Sequence, residues 1–195
     1  MTSIAMENMD YKQEVKNKTS KPLLWIGIVS IVMFFGGLTS AVIVSQGGGG
    51  FINIALPDAF LVSTIVIVLS SIAFHLGLLA TKKGKQQQAK MAVLATMVLG
   101  LTFVFTQYLG WSDLVARGYY LSGTSQESSY LYLLTILHVL HLIGGLVSLS
   151  IVLVKTFKKR YTPQNYLGVE VSITYWHFLG GLWIYLFFFL MYITA

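Results

Sequence analysis

The sequence predicts an all-α integral membrane protein, a five-helix bundle with its amino end in the cytoplasm and its carboxyl end outside. Composition is the first reason: of 195 residues, 55% are hydrophobic and only 10% charged. Soluble domains carry far more charge, and such a chain belongs with multi-span membrane proteins. The second reason is that five apolar stretches, residues 23–45, 59–80, 91–111, 130–154 and 171–193, are each long enough to cross a hydrocarbon core of about 30 Å as a helix. The third is where the basic residues fall. Twelve of the thirteen lie before the first stretch, between the second and third, or between the fourth and fifth. Only Arg117 lies on the other side. Short basic loops stay in the cytoplasm, which fixes the orientation.

Residues 1–21 are polar and lack the short apolar core and cleavage site of a signal peptide. They read as a mostly disordered cytoplasmic tail, and residues 22–195 as one transmembrane domain. The first stretch then serves as an uncleaved anchor. Residues 46–51 contain four consecutive glycines and read as a flexible outer loop. Pro57-Asp58 opens the second helix, since proline is tolerated in a first turn. Residues 112–129 form the longest predicted loop. Tyr108, Trp111, Tyr130 and Tyr132 read as interfacial aromatics at that end. The absence of cysteine removes disulfides, thiolate metal sites and thiol nucleophiles.

Three helices carry small or polar residues at spacings of three and four, which places them on one face. These are Thr96, Gly100, Phe103, Gln107 and Gly110 in the third, His138, His141, Gly145 and Ser148 in the fourth, and Glu170, Thr174, His177 and Gly181 in the fifth. In lipid, such faces bring helices close and let them share hydrogen bonds.

All four histidines, His75, His138, His141 and His177, fall inside predicted spans. Ionisable groups at that depth ask for a reason. His138 and His141 are three apart and can reach one metal ion if Glu170 or His177 comes from the next helix. Haem ligation by two facing histidines is a second possibility, and hydrogen bonding between helices a third. Glu170 suits the first turn of a helix, where the dipole favours a carboxylate. Gln107 reads as inter-helix glue. His75, Lys82, Lys83 and Trp183 read as lipid or interface contacts, and Trp176 lies on the same side of its helix as Trp183. No phosphate loop is present, and no carboxylate lies mid-span, which argues against an intrinsic ion pump.

Three stretches carry a resemblance: ILHVLHLIGGLVSL, GVEVSITYWHFLGGLWIYLF and GKQQQAKMAVLATMVLGLTFVFTQYLGW, with SIVMFFGGLTSA in the first span as a fourth. In these the chain resembles subunit III of haem-copper respiratory oxidases, the cytochrome c oxidase subunit III family, in its short five-helix bacterial form. The resemblance implies a non-catalytic accessory subunit of a proton-pumping terminal oxidase in the bacterial inner membrane. It implies no cofactor in this chain, haem and copper in the catalytic subunit I beside it, a further partner in subunit II, and bound phospholipid. A quinol oxidase is the alternative complex, and a stand-alone membrane haem or metal protein the alternative class. Gln107, His138, His141, Glu170, Trp176 and His177 become a shared structural polar framework, with Glu170 and His177 expected to lock the fifth helix to the fourth through His138 or His141. Three positions where the family often has a carboxylate hold Ile31, Gly110 and Gly180.

Overall fold

The computed structural model describes residues 2–46, 54–121 and 126–194, with side chains from residue 18 onward. The expected glycine loop lies outside the described residues, apart from Gln46. Five helices follow in order: α1 (Thr2–Gln46), α2 (Asp58–Lys82), α3 (Gln86–Ala116), α4 (Gln126–Phe157) and α5 (Leu167–Thr194). Each is long and apolar enough to cross a membrane, and each contains its predicted span. Two expectations are corrected. The tail read as disordered is helical and continuous with the first span, through Pro22. Half of the long loop of residues 112–129 is helix, because α3 runs on to Ala116 and α4 begins at Gln126.

Three helices end in one device. After α2, Gly84 takes φ 69°; its N–H donates to the Thr81 carbonyl, and Lys85 N–H to the Ala80 carbonyl. After α3, Gly118 takes φ 85°, with matching bonds from Gly118 to Val115 and from Tyr119 to Leu114. After α4 the same paired bonds run from Lys159 to Thr156 and from Arg160 to Lys155. These are left-handed caps that satisfy the last free carbonyls of a helix. The third places a lysine at φ 53°, where a side chain with Cβ is strained.

α5 is the central element. It packs against α4, α2 and α1, whereas among the described residues α1 touches α5 and, lightly, α4. Half of the apolar window of α5 is buried, against 22% of that of α1. Beyond His177 its side chains are largely apolar on all sides, as a helix surrounded by others requires. α2 and α3 form the most extensive pair. Close approach to α5 rests on missing side chains: a Cβ on Gly100 would lie 2.8 Å from the Trp176 ring, and one on Gly145 would lie 2.8 Å from Leu179. Outside the spans, Gln86 Nε2 donates to the Tyr161 carbonyl and ties the α4–α5 connection to the start of α3. Arg117 pairs with Asp113 at 2.6 Å and donates to the Ala55 carbonyl.

Two substitutions check these features. Lys159→Gly relieves the left-handed strain and raises stability by about 1 kcal/mol, read as a higher thermal midpoint in detergent. Gly100→Leu forces α3 away from the Trp176 ring and lowers the midpoint by the equivalent of about 1–3 kcal/mol, the usual cost of overpacking.

Candidate functional site

The polar side chains of the bundle fall into two groups around α5. The deeper group is built on its indoles. Trp176 and Trp183 are 1% and 0% exposed. A buried indole N–H needs an acceptor, and α2 supplies both. Trp176 Nε1 donates to Ser70 Oγ at 3.2 Å, and Ser70 in turn donates to the Thr96 carbonyl of α3 at 3.3 Å. Trp183 Nε1 donates to Thr64 Oγ1 at 3.0 Å, and Thr64 donates to the Phe60 carbonyl. Gln107 of α3 reaches the same helix, its Nε2 donating to Ser63 Oγ at 2.8 Å. The reading of Trp183 as a lipid or interface contact is therefore corrected. It is wholly enclosed, with Phe103 and Phe60 edge-on at 5.2 and 5.9 Å.

His138 sits in this core. It is fully buried, 5.2 Å from the Trp183 ring and 6.0 Å from the Phe103 ring, and neither ring nitrogen has a hydrogen-bond partner among the described residues. His141, three residues on, turns elsewhere. Its ring lies 5.5 Å from Phe35 of α1, and its Nδ1 is 2.7 Å from the Leu137 carbonyl. The two imidazoles thus face different neighbours, because i and i+3 on a helix diverge enough to meet α3 and α5 on one side and α1 on the other. Among the described residues, no three His, Asp or Glu side chains are grouped to hold a metal ion.

The second group lies where α1, α2 and α5 meet at one end of the bundle. Glu170 Oε2 is 3.0 Å from Lys21 of α1, and its Oε1 is 3.4 Å from Lys82 of α2. Lys82 also lies over the Tyr166 ring at 4.9 Å, while Lys83 is exposed. Deeper along the same face, His177 meets His75 of α2 with ring centroids 5.9 Å apart. The expected lock of Glu170 and His177 to α4 is corrected here: both face α2, and Glu170 also reaches α1. The cause is helix order. α5 has α1 and α2 on the side that carries Glu170, Thr174 and His177, and meets α4 through other residues, among them Ser172 bonded to Ser148 at 2.9 Å and Tyr175 O–H donating to the His141 carbonyl at 3.3 Å.

Further bonds stitch the remaining pairs. Tyr185 donates to Thr39 of α1 at 3.1 Å, and Ser45 of α1 bonds Tyr130 of α4 at 2.8 Å. Trp111 Nε1 donates to Thr135 Oγ1 at 3.0 Å. Tyr132, expected at the interface, is buried and donates to the Tyr119 carbonyl. Residues that sequence reasoning missed are Lys21, counted only as a topology charge, and the acceptors Ser63, Thr64 and Ser70. Their signal was hydroxyls spaced along an otherwise apolar α2. The three carboxylate-free positions are filled by packing. Ile31 lies against the core cluster. A Cβ on Gly110 would overlap the Phe60 ring, and one on Gly180 would press on Ser71 Oγ at 3.1 Å.

Comparison with known proteins adds to this geometry. Residues 23–195 match the cytochrome c oxidase subunit III family. A probable cytochrome c oxidase subunit 3 from Nocardia farcinica is 30% identical over 175 residues, covering 85% of this chain and 82% of the relative. The cytochrome c oxidase subunit 3 of Corynebacterium diphtheriae is 28% identical over 200 residues, covering 96% and 97%. A cytochrome bo(3) ubiquinol oxidase subunit 3 from Pseudomonas aeruginosa is 28% identical over 168 residues, covering 84% and 79%.

The indole bonds make a graded prediction. Trp183→Phe keeps most of the ring packing but leaves Thr64 without its donor, and costs about 0.5–1.5 kcal/mol. Trp183→Ala opens a cavity beside His138 and costs about 3–5 kcal/mol. Thermal or denaturant midpoints of the two variants in one detergent measure the difference.

Proposed function

Because the chain belongs to the cytochrome c oxidase subunit III family, we propose that it is the redox-inactive subunit packed beside the catalytic haem-copper subunit of a proton-pumping terminal oxidase. It spans the bacterial cytoplasmic membrane with its amino end inside, on the strength of twelve basic residues against one in alternate connections. Haem and copper reside in the partner subunits. This chain stabilises the catalytic subunit and carries lipid against it.

The observation that supports the redox-inactive reading is the enclosure of His138. Its ring is fully buried with Trp183 and Phe103 against it, and both ring nitrogens are enclosed, so a haem iron would reach neither without repacking the core. His141 is turned to Phe35 and its own helix, and Glu170 is already shared by two lysines. His141 and Glu170 are thus engaged with groups other than a metal, and Glu170 holds helices together. The relatives named as cytochrome c oxidase subunit 3 support a cytochrome c donor; the Pseudomonas quinol oxidase relative supports quinol as the second reading. Activity of the purified complex with reduced cytochrome c against quinol decides between them.

Removing this chain alone from the purified complex tests the main reading. Haem and copper stay with the remainder, and metal leaving in step with the chain overturns the assignment. Glu170→Gln breaks the charge clamp of α1, α2 and α5. The variant complex loses this subunit at lower detergent concentration while its haem spectrum is unchanged; an altered spectrum with normal subunit retention contradicts the structural role.

A further inference from the structure

We propose that His75 of α2 and His177 of α5 form a two-coordinate site for a soft monovalent metal ion, cuprous copper. This goes beyond the proposed function, which assigns no metal to this chain.

Helix geometry brings the two imidazoles together. Lys82 of α2 and Glu170 of α5 pair at the bundle end. His75 stands seven residues before Lys82, and His177 seven residues after Glu170. On two antiparallel helices both steps lead inward, by about 10 Å at the helical rise. The rings meet there with centroids 5.9 Å apart and planes tilted by 41°. Both side chains are exposed, and both line two cavities of about 400 and 440 Å³ beside α5, which give an ion a way in. Among the described residues neither imidazole has a hydrogen bond or an ion pair. An ionisable side chain at that depth asks for a partner.

The spacing selects the partner. Opposed rings joined by a direct N–H···N bond of about 3 Å have centroids about 5 Å apart, less than the gap found here. One ion between two opposed metal–nitrogen bonds of about 2 Å sets the centroids about 6 Å apart, and a tetrahedral angle at that ion draws them in to about 5 Å. The observed 5.9 Å therefore suits two nearly opposed bonds, the geometry that a filled-d-shell monovalent ion such as Cu(I) prefers. Rotation of either ring about its bond leaves this distance unchanged, so the tilt is no obstacle. Zinc asks for two further ligands. No group of three His, Asp or Glu is present among the described residues, and Glu170 is held by Lys21 and Lys82. The hydroxyls nearby in the lining, Ser71 and Thr174, are poor ligands for a soft ion. Charge agrees with geometry. The lining around the rings is otherwise apolar, two lysines already outnumber one carboxylate at the bundle end, and one added charge costs less there than two.

The full-length chain in detergent, without other subunits, is the material for the test, because no other copper is then present. It is titrated anaerobically with Cu(I) against a chromophoric Cu(I) chelator and measured by X-ray absorption at the copper edge. The expected result is one Cu(I) per chain with a two-coordinate, all-nitrogen spectrum. His75→Leu and His177→Leu each lose the copper while helix content stays that of the wild type. Silver(I) displaces the copper and excess Zn²⁺ does not. Should a leucine variant lose helix content, His75→Gln and His177→Gln repeat the measurement with a polar side chain kept in place. A wild-type chain that takes no copper from the chelator overturns the proposal. So does a three- or four-coordinate spectrum, displacement by Zn²⁺, or copper kept by either folded variant, which marks an adventitious ion only. An ion held by two side chains exchanges with a chelator. In the complex, a chelator wash therefore separates copper at this site from the metal whose retention tests the subunit assignment.

Discussion

The fold depends on two buried indole N–H groups. Water is absent at membrane depth, so an unpaired donor there costs several kcal/mol. Trp176 and Trp183 are seven residues apart, almost two full turns, and each must find an acceptor on the same neighbour. Ser70 and Thr64 of α2 meet that demand. Two bonds at two heights set the depth and rotation of α5 against α2 together, in a way that apolar packing between smooth helices does not. The residues that let other helices approach are arranged around the same rings: Gly100 and Gly145 leave room for Trp176, and Phe60, Phe103 and His138 surround Trp183.

His138 is the cost of this arrangement. A fully buried imidazole without a hydrogen bond is unfavourable unless it stays neutral and its ring faces are well packed. Its flanking aromatic rings supply the packing. The side chain that most resembles a ligand in the sequence behaves in the fold as a polarisable aromatic filler. By contrast, Glu170 and the two lysines remain half open at the bundle end, where charge is affordable and still reaches three helices.

Much of this was legible in the chain. Five spans follow from apolar length alone, and the seam of α3 falls where its spacing put it, with Thr96, Gly100, Phe103, Gln107 and Gly110 all buried. The seam of α5 did not. Polar residues suggested that Glu170, Thr174, His177 and Gly181 faced the main interface, yet His177 and Gly181 are exposed while Trp176, Leu179, Gly180 and Trp183 are buried. Beyond His177 the helix is apolar nearly all round, so little periodicity is left to read there and its orientation comes from neighbours. The partners of Glu170 were hidden for the same reason. Lys21 and Lys82 lie 149 and 88 residues away, and helix order around α5 is a property of the packed bundle, not of spacing within one helix.

The isolation of α1 has a consequence in time. Within the spans, its cross-helix bonds among the described residues run to α4 and α5: Ser45 to Tyr130, and Thr39 to Tyr185 across 146 residues of chain. Translation at about 5–20 residues per second puts roughly 7–30 s between the two. Tyr130 of α4 follows Ser45 by 85 residues, roughly 4–17 s at that rate, and until then α1 waits for its partners, while α2 and α3 can pair at once across a turn of three residues. Among the described helices, α1 docks after α2 and α3 have paired, so docking does not follow the order of synthesis.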